Sequence, residues 1–188
     1  MKAPWVYVVH FFKMIIKTRL KIKMQSADEL RRKIKSMIVF FMMAVVGSGI
    51  TAFPIKTELE HARGFIRMYH WDNAFSDWIE KVYIGVGETD GKFPFIAYGT
   101  DWLAFSHLVI ALAFIGPLRD PVRNIWVIQF GLMACIAVFP MALIAGEVRG
   151  IPLFWRMVDC SFGLIGGITL WSVYKRIKQL ESSHEFKP

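Results

Sequence analysis

The stretch SMIVFFMMAVVGSGITAFPI, residues 36–55, carries no charged side chain between Lys35 and Lys56. As a helix, a run of this length crosses ~30 Å of hydrocarbon. A helix also satisfies every backbone donor and acceptor internally, which a lipid environment demands. Three more apolar runs follow, the first two uncharged and the last interrupted only by Arg156 and Asp159. They cover 102–118 between Asp101 and Arg119, about 124–146, and about 153–174. The fold class read from this pattern is all-α, an integral membrane four-helix bundle with an amphipathic helical segment outside the membrane between spans 1 and 2.

Composition agrees with that reading. The chain has 188 residues, 55% of them hydrophobic, and 16 are Phe. Its mean hydropathy of +0.41 lies above that of ordinary soluble domains. A formal net charge of +8 raises nucleic-acid binding. The basic residues, however, flank the apolar runs, and no recognition helix or basic stripe stands apart from them. Nucleic acid is therefore excluded as a partner. The lipid bilayer is the expected one, with a second copy or another membrane protein as candidates.

Residues 1–25 form a basic N-terminal arm whose apolar stretch, 3–12, is too short to span. No small-residue cleavage site follows, so a signal peptide is not expected. Two readings stay open: a basic amphipathic segment on the membrane surface, or an extension upstream of a start at Met24. Ser26-Ala27-Asp28-Glu29 fits a capping box that opens the helix of span 1. The membrane domain is assigned to 26–181, with an outer segment at 56–100, and 182–188 form the tail.

In the outer segment, Phe75, Trp78, Ile79, Val82, Tyr83 and Val86 recur at helical spacing. The pattern predicts an amphipathic helix lying on the membrane or over the bundle mouth, capped by Asp72 or Asn73 and broken by GVGETDG at 85–91. Asp101 is placed to cap span 2. The short LRDPVRN connection predicts spans 2 and 3 as antiparallel neighbours. Pro140 is expected to kink span 3.

Sidedness follows from Lys and Arg. Ten lie in the arm up to residue 37, two in the 118–124 connection and four from Lys175 onward, against seven on the opposite side. This bias predicts both termini in the cytoplasm. Trp102 and Trp155 mark one interface and Trp126 and Trp171 the other.

The strings SGITAFP, AYGTDWLAFSH, FIGPLRDPVRNIWVI and ALIAGEVRGIPLFWRMVDCSFG resemble an uncharacterised family of four-span bacterial inner-membrane proteins. The resemblance covers roughly residues 35–181. It implies an inner-membrane, multi-pass protein and carries no activity. Span count alone also invites comparison with DoxX-type proteins, which are associated with quinone or thiol redox steps.

Ionisable groups inside a span are expensive and are functional candidates by default. His107 sits ~9 Å and Asp159 ~10 Å from the outer ends of their spans at 1.5 Å per residue. Asp159, Gly163 and Gly167 share one stripe, and Ala104, His107 and Ala111 another; small stripes face neighbouring helices. Asp101, His107, Glu147, Arg149, Arg156 and Asp159 thus form a candidate polar cluster in the outer half of the bundle. One reading is a pocket for a small ligand, a quinone headgroup or a proton. The preferred reading is a structural network in which Arg156 pairs with Asp159 and His107 bonds across the helices.

No metal or cofactor is expected. His107 is the one histidine within a span, whereas a haem in a bundle commonly takes two. His61 and His70 have no ligand spacing. No GxSxG or Ser/His/Asp arrangement occurs. Cys135 and Cys160, each inside a span, read as packed thiols. The expected function is a non-catalytic accessory or interaction protein. The alternatives are small-ligand binding or transport, and a quinone-linked oxidoreductase.

Overall fold

The structure, a computed structural model, describes the backbone of residues 5–185 and the side chains of residues 26–182. All regular structure among them is helical: α1 (Trp5–Ala52), α2 (Ile55–Met68), α3 (Ala74–Lys92), α4 (Tyr98–Ala113), α5 (Ile115–Arg119), α6 (Ile125–Pro140), α7 (Gly146–Val148) and α8 (Leu153–Glu185). Four stretches are long and apolar enough to cross a membrane: Ser26–Ala52, Pro94–Arg119, Ile125–Val148 and Leu153–Ser182. Large apolar side chains along them stand open, among them Ile136 at 68% and Phe162 at 62% exposure. Water would penalise such a surface heavily, and a bilayer covers it at no such cost. The chain is a multi-pass membrane protein.

Several boundaries differ from the sequence reading. α1 runs unbroken through Ser26, so no cap opens a helix there. The amphipathic character expected of the arm rests on side chains outside the described residues. Leu153–Glu185 is likewise one helix, so the basic segment after Lys175 continues span 4.

The segment between spans 1 and 2 is a pair of helices. α2 packs against α3, and each buries one side chain, Leu59 and Ile79. Asn73 caps α3 as expected. Its Oδ1 accepts from the N–H groups of Phe75 (2.9 Å) and Ser76 (3.2 Å), and Ser76 Oγ accepts from the Asn73 N–H in return. GVGETDG does not break the helix. Thr89 Oγ1 donates back to the Gly85 carbonyl at 2.7 Å, and the helix stops only at Lys92. Pro94 sets that stop by forcing Phe93 out of the helical region (φ −140°).

A 3₁₀ turn, Pro94–Ile96, feeds straight into α4. Span 2 therefore starts earlier than expected, and its first turn has no side-chain cap. Asp101 is a first-turn acid, favourable to the helix dipole. Span 2 is interrupted at Phe114 because Pro117, three residues on, withholds the N–H that the Ala113 carbonyl needs.

The bundle is built from two helix pairs, α1 with α4 and α6 with α8. α1 against α8 joins them. Spans 2 and 3 do not run side by side along their length: α5 meets α6 near the connection and the Phe114 ring reaches Gly131, but α4 does not pack along α6. There Asn124 Nδ2 donates to the carbonyls of Gly116 (3.2 Å) and Asp120 (2.9 Å). The core occupies the half nearest the chain termini, with Ile34, Ile38, Phe114, Ile128, Leu170 and Ile177 fully buried. At the other end, Phe75 of α3 lies 6.1 Å from the Trp155 ring and 6.2 Å from that of Phe154. The α2–α3 hairpin thus reaches from the first helix pair to the second.

Candidate functional site

The six polar candidates do not gather into one cluster. Asp101 stands in the first turn of α4, beside the hairpin base. His107 lies on the α1–α4 seam, where a Cβ added to Gly49 would come 2.7 Å from His107 Cβ. Its Nδ1 is 2.8 Å from the Leu103 carbonyl of its own helix. The cross-helix hydrogen bond expected of His107 is absent among the described residues. Arg149 is exposed at the tip of the turn between spans 3 and 4.

Arg156 does not pair with Asp159. Its guanidinium forms an ion pair with Glu147 and donates to the Leu143 carbonyl at 3.3 Å. Long helical side chains lean toward their own N-terminus, so Arg156 points away from a residue three positions later. Three local features bring Glu147 into reach. Pro140 ends α6, and a π-helical turn, Met141–Ala145, follows it. Gly150 turns the chain at φ +65°, the left-handed region that favours glycine. Gly146 has no Cβ, and one placed there would meet Arg156 Cδ at 2.7 Å. The pair is lopsided: the Arg156 side chain is 13% exposed and that of Glu147 70%. Arg156 Nε is buried without a partner. Asp159 joins no other described side chain through an ion pair or hydrogen bond.

A second polar arrangement fastens the hairpin. Arg63 of α2 donates through Nε and Nη2 to both carboxylate oxygens of Glu80 in α3, at 2.6 and 2.7 Å. Its guanidinium also lies 3.8 Å from the centre of the Tyr83 ring. A bidentate fork fixes orientation as well as distance. The hydrogen bonds from Arg63 hold the Glu80 carboxyl below the usual carboxylate range and raise Arg63 above its ordinary value. At the hairpin base, Lys56 Nζ pairs with Asp90 Oδ2 at 3.3 Å.

Two neighbouring cavities open beside that base. One, of about 440 Å³, is bounded by the end of α1, the first turn of α2, the last turns of α3 and the start of α4. Lys56, Thr57, Asp90, Thr100 and Asp101 supply its polar groups, and Phe53, Val86 and Ile96 its apolar wall. The other, of about 340 Å³, shares Phe53 and Asp101 and is otherwise walled by Tyr98, Trp102 and Phe105. A third hollow, about 450 Å³, is an apolar groove between α6 and α8 at Cys135, Gly163 and Gly167.

Sequence reading singled out Asp101 but not Lys56, Asp90 or Phe53. Their assembly needs α3 to run through Gly85–Asp90, against the low helix propensity of the glycines there. Among the described residues, no three His, Cys, Asp or Glu side chains are placed to hold a metal ion. Cys135 and Cys160 are buried and unbonded. Comparison with protein-family models, with curated proteins and with solved structures finds no match.

Proposed function

We propose that the chain is a non-catalytic accessory protein of a bacterial inner membrane, with both termini in the cytoplasm and the α2–α3 hairpin on the outer face. The excess of Lys and Arg at the termini end supports that orientation. The resemblance of the four quoted strings to a family of inner-membrane proteins supports the compartment.

The observation that carries the interaction reading is the hairpin tip. Phe65, Met68, Tyr69 and Trp71 form an open apolar patch there, with Met68 71% exposed. Phe65 packs its ring on Tyr69 at 4.5 Å and on Trp71 at 5.6 Å. The Arg63–Glu80 fork holds the helices that present it. Rigid aromatic patches framed by charge are what partner proteins bind. His70, at φ +51°, sits within the patch in a conformation that side chains rarely adopt.

Site-specific photo-crosslinking from Tyr69 tests this in intact membranes. One discrete adduct, a second copy or another membrane protein, is expected, and Trp71→Ala should abolish it while the protein still inserts. Crosslinks to lipid alone would sink the reading.

A further inference from the structure

The two cavities at the hairpin base share Phe53 and Asp101 and differ in chemistry. The upper one carries charge and hydroxyls; the lower is aromatic and opens along span 2. They sit where the apolar spans begin and end, since span 1 stops at Ala52 and the second apolar stretch starts at Pro94. A polar chamber beside an open apolar groove with which it shares two walls, at the level where hydrocarbon gives way to water, suits the two halves of an amphiphile. The upper volume falls within the ~300–1,000 Å³ of ordinary ligand sites.

Charge narrows the class. Lys56 and Asp90 neutralise one another at 3.3 Å, which leaves the Asp101 carboxylate as the surplus charge. No other described side chain pairs with Asp101, and both cavities contain it. A carboxylate so placed calls for a cation.

The opposite wall calls for an anion. Ile55, Lys56 and Thr57 form the first turn of α2 and line the chamber. Pro54 precedes that turn and no side chain caps it. First-turn N–H groups without a cap, beside a Lys with donors to spare, suit a phosphate. Thr89 and Thr100 are not available as donors to a phosphate, because their hydroxyls already donate to the carbonyls of Gly85 (2.7 Å) and Ala97 (2.6 Å).

We propose that the paired cavities bind one zwitterionic phospholipid with a primary-amine headgroup. Its ammonium rests on Asp101, its phosphate at Lys56 and the first turn of α2, and one acyl chain lies along Tyr98, Trp102 and Phe105. The site rests on the membrane reading alone and is independent of the hairpin tip. Bound lipid would bridge α2, α3 and α4 and fasten the hairpin base to the bundle.

The test uses the full chain in nanodiscs of equal phosphatidylethanolamine, phosphatidylcholine and phosphatidylglycerol, with native mass spectrometry after transfer to detergent. Phosphatidylethanolamine should be retained about tenfold over the other two, the scale of one charge-assisted hydrogen bond. Phosphatidylcholine has no N–H to donate to Asp101, and phosphatidylglycerol has no cation. Asp101→Asn should bring the three to parity with unchanged helicity. In wild-type protein, a phosphatidylethanolamine carrying a photoreactive group near its glycerol should label residues 53–57 or 96–105. This arm decides the matter if Asp101→Asn does not fold. Equal retention of the three lipids by wild type, a preference that survives Asp101→Asn, or label confined to the α6–α8 groove would each overturn the proposal.

Discussion

The two ends of the bundle are held by different physics. At the termini end, large side chains from all four spans interlock around Phe114, Ile128 and Leu170. At the hairpin end, the buried positions within the spans are small, Ala104 in one pair and Ala142 and Cys160 in the other. Burying apolar surface gains little when the alternative is lipid, so helices there gain by close backbone approach. Gly163 exemplifies this: an added Cβ would stand 2.8 Å from the Cys135 carbonyl oxygen. Contact between the pairs comes from α1 against α8 within the spans, and at this end the hairpin adds to it through Phe75 on Phe154 and Trp155. One end is a packed core, and the other is two close-fitting seams bridged by a strap.

The sharpest way to break this contrast is to hollow out the core. Phe114→Ala should cost about 3–5 kcal/mol, as for a buried aromatic elsewhere. Phe162→Ala, on an open face, should change stability by less than about 0.5 kcal/mol. Denaturation in mixed micelles measures both. Equal losses would mean that the termini end is no more a core than the lipid face.

Next in size is the seam between spans 1 and 2. A side chain at Gly49 would collide with His107 and with the Ala104 carbonyl, the latter at 3.0 Å. Gly49→Val should cost about 1–3 kcal/mol as overpacking. Gly47, with nothing within 4 Å of its added Cβ, serves as the matched control. If Gly47→Val proves as harmful as Gly49→Val, close approach is not what holds this seam.

The seam between spans 3 and 4 carries the Arg156–Glu147 pair. A double-mutant cycle of Arg156→Ala with Glu147→Gln should give a coupling of about 0.5–1 kcal/mol, modest because Glu147 faces outward. The same cycle with Asp159→Asn should give less than about 0.3 kcal/mol. The reverse ranking would restore the pairing expected from sequence.

The smallest effect concerns the strap. Arg63 depresses the Glu80 pKa, so the fork contributes fully above the unfolded value of about 4.3 and is lost as pH falls through the lower folded value. Hydrogen exchange in α2 and α3 should stay slow as pH drops to about 4 and rise below it, after correction for intrinsic exchange. Glu80→Gln should raise exchange at neutral pH and remove the acid step. A step at pH 6–7 instead would point to a histidine.

Features that depend on neighbours in sequence were readable in advance. The apolar runs located all four spans, and Asn73 announced the start of α3 through a cap formed within four residues. Features that depend on one element meeting another were not. Glu80 lies 17 residues from Arg63, and nothing local marks them as partners. Arg156 and Asp159 looked paired because spacing was weighed without side-chain direction. Gly85, Gly87 and Gly91 looked like a break because intrinsic propensity was weighed without the tertiary support of α2. Of the six polar candidates, only Glu147 and Arg156 meet.

The π turn after Pro140 has a consequence of another kind. A π turn is the signature of one extra residue accommodated in an α-helix. Excising one residue from 141–145 would let the helix close in the ordinary register. Everything beyond it would then swing by ~100° about the axis, the angle one residue subtends in a 3.6-fold helix. Glu147 would leave Arg156, and Gly146 would no longer present its bare face to that side chain. The extra residue therefore sets whether the buried guanidinium meets a carboxylate at all.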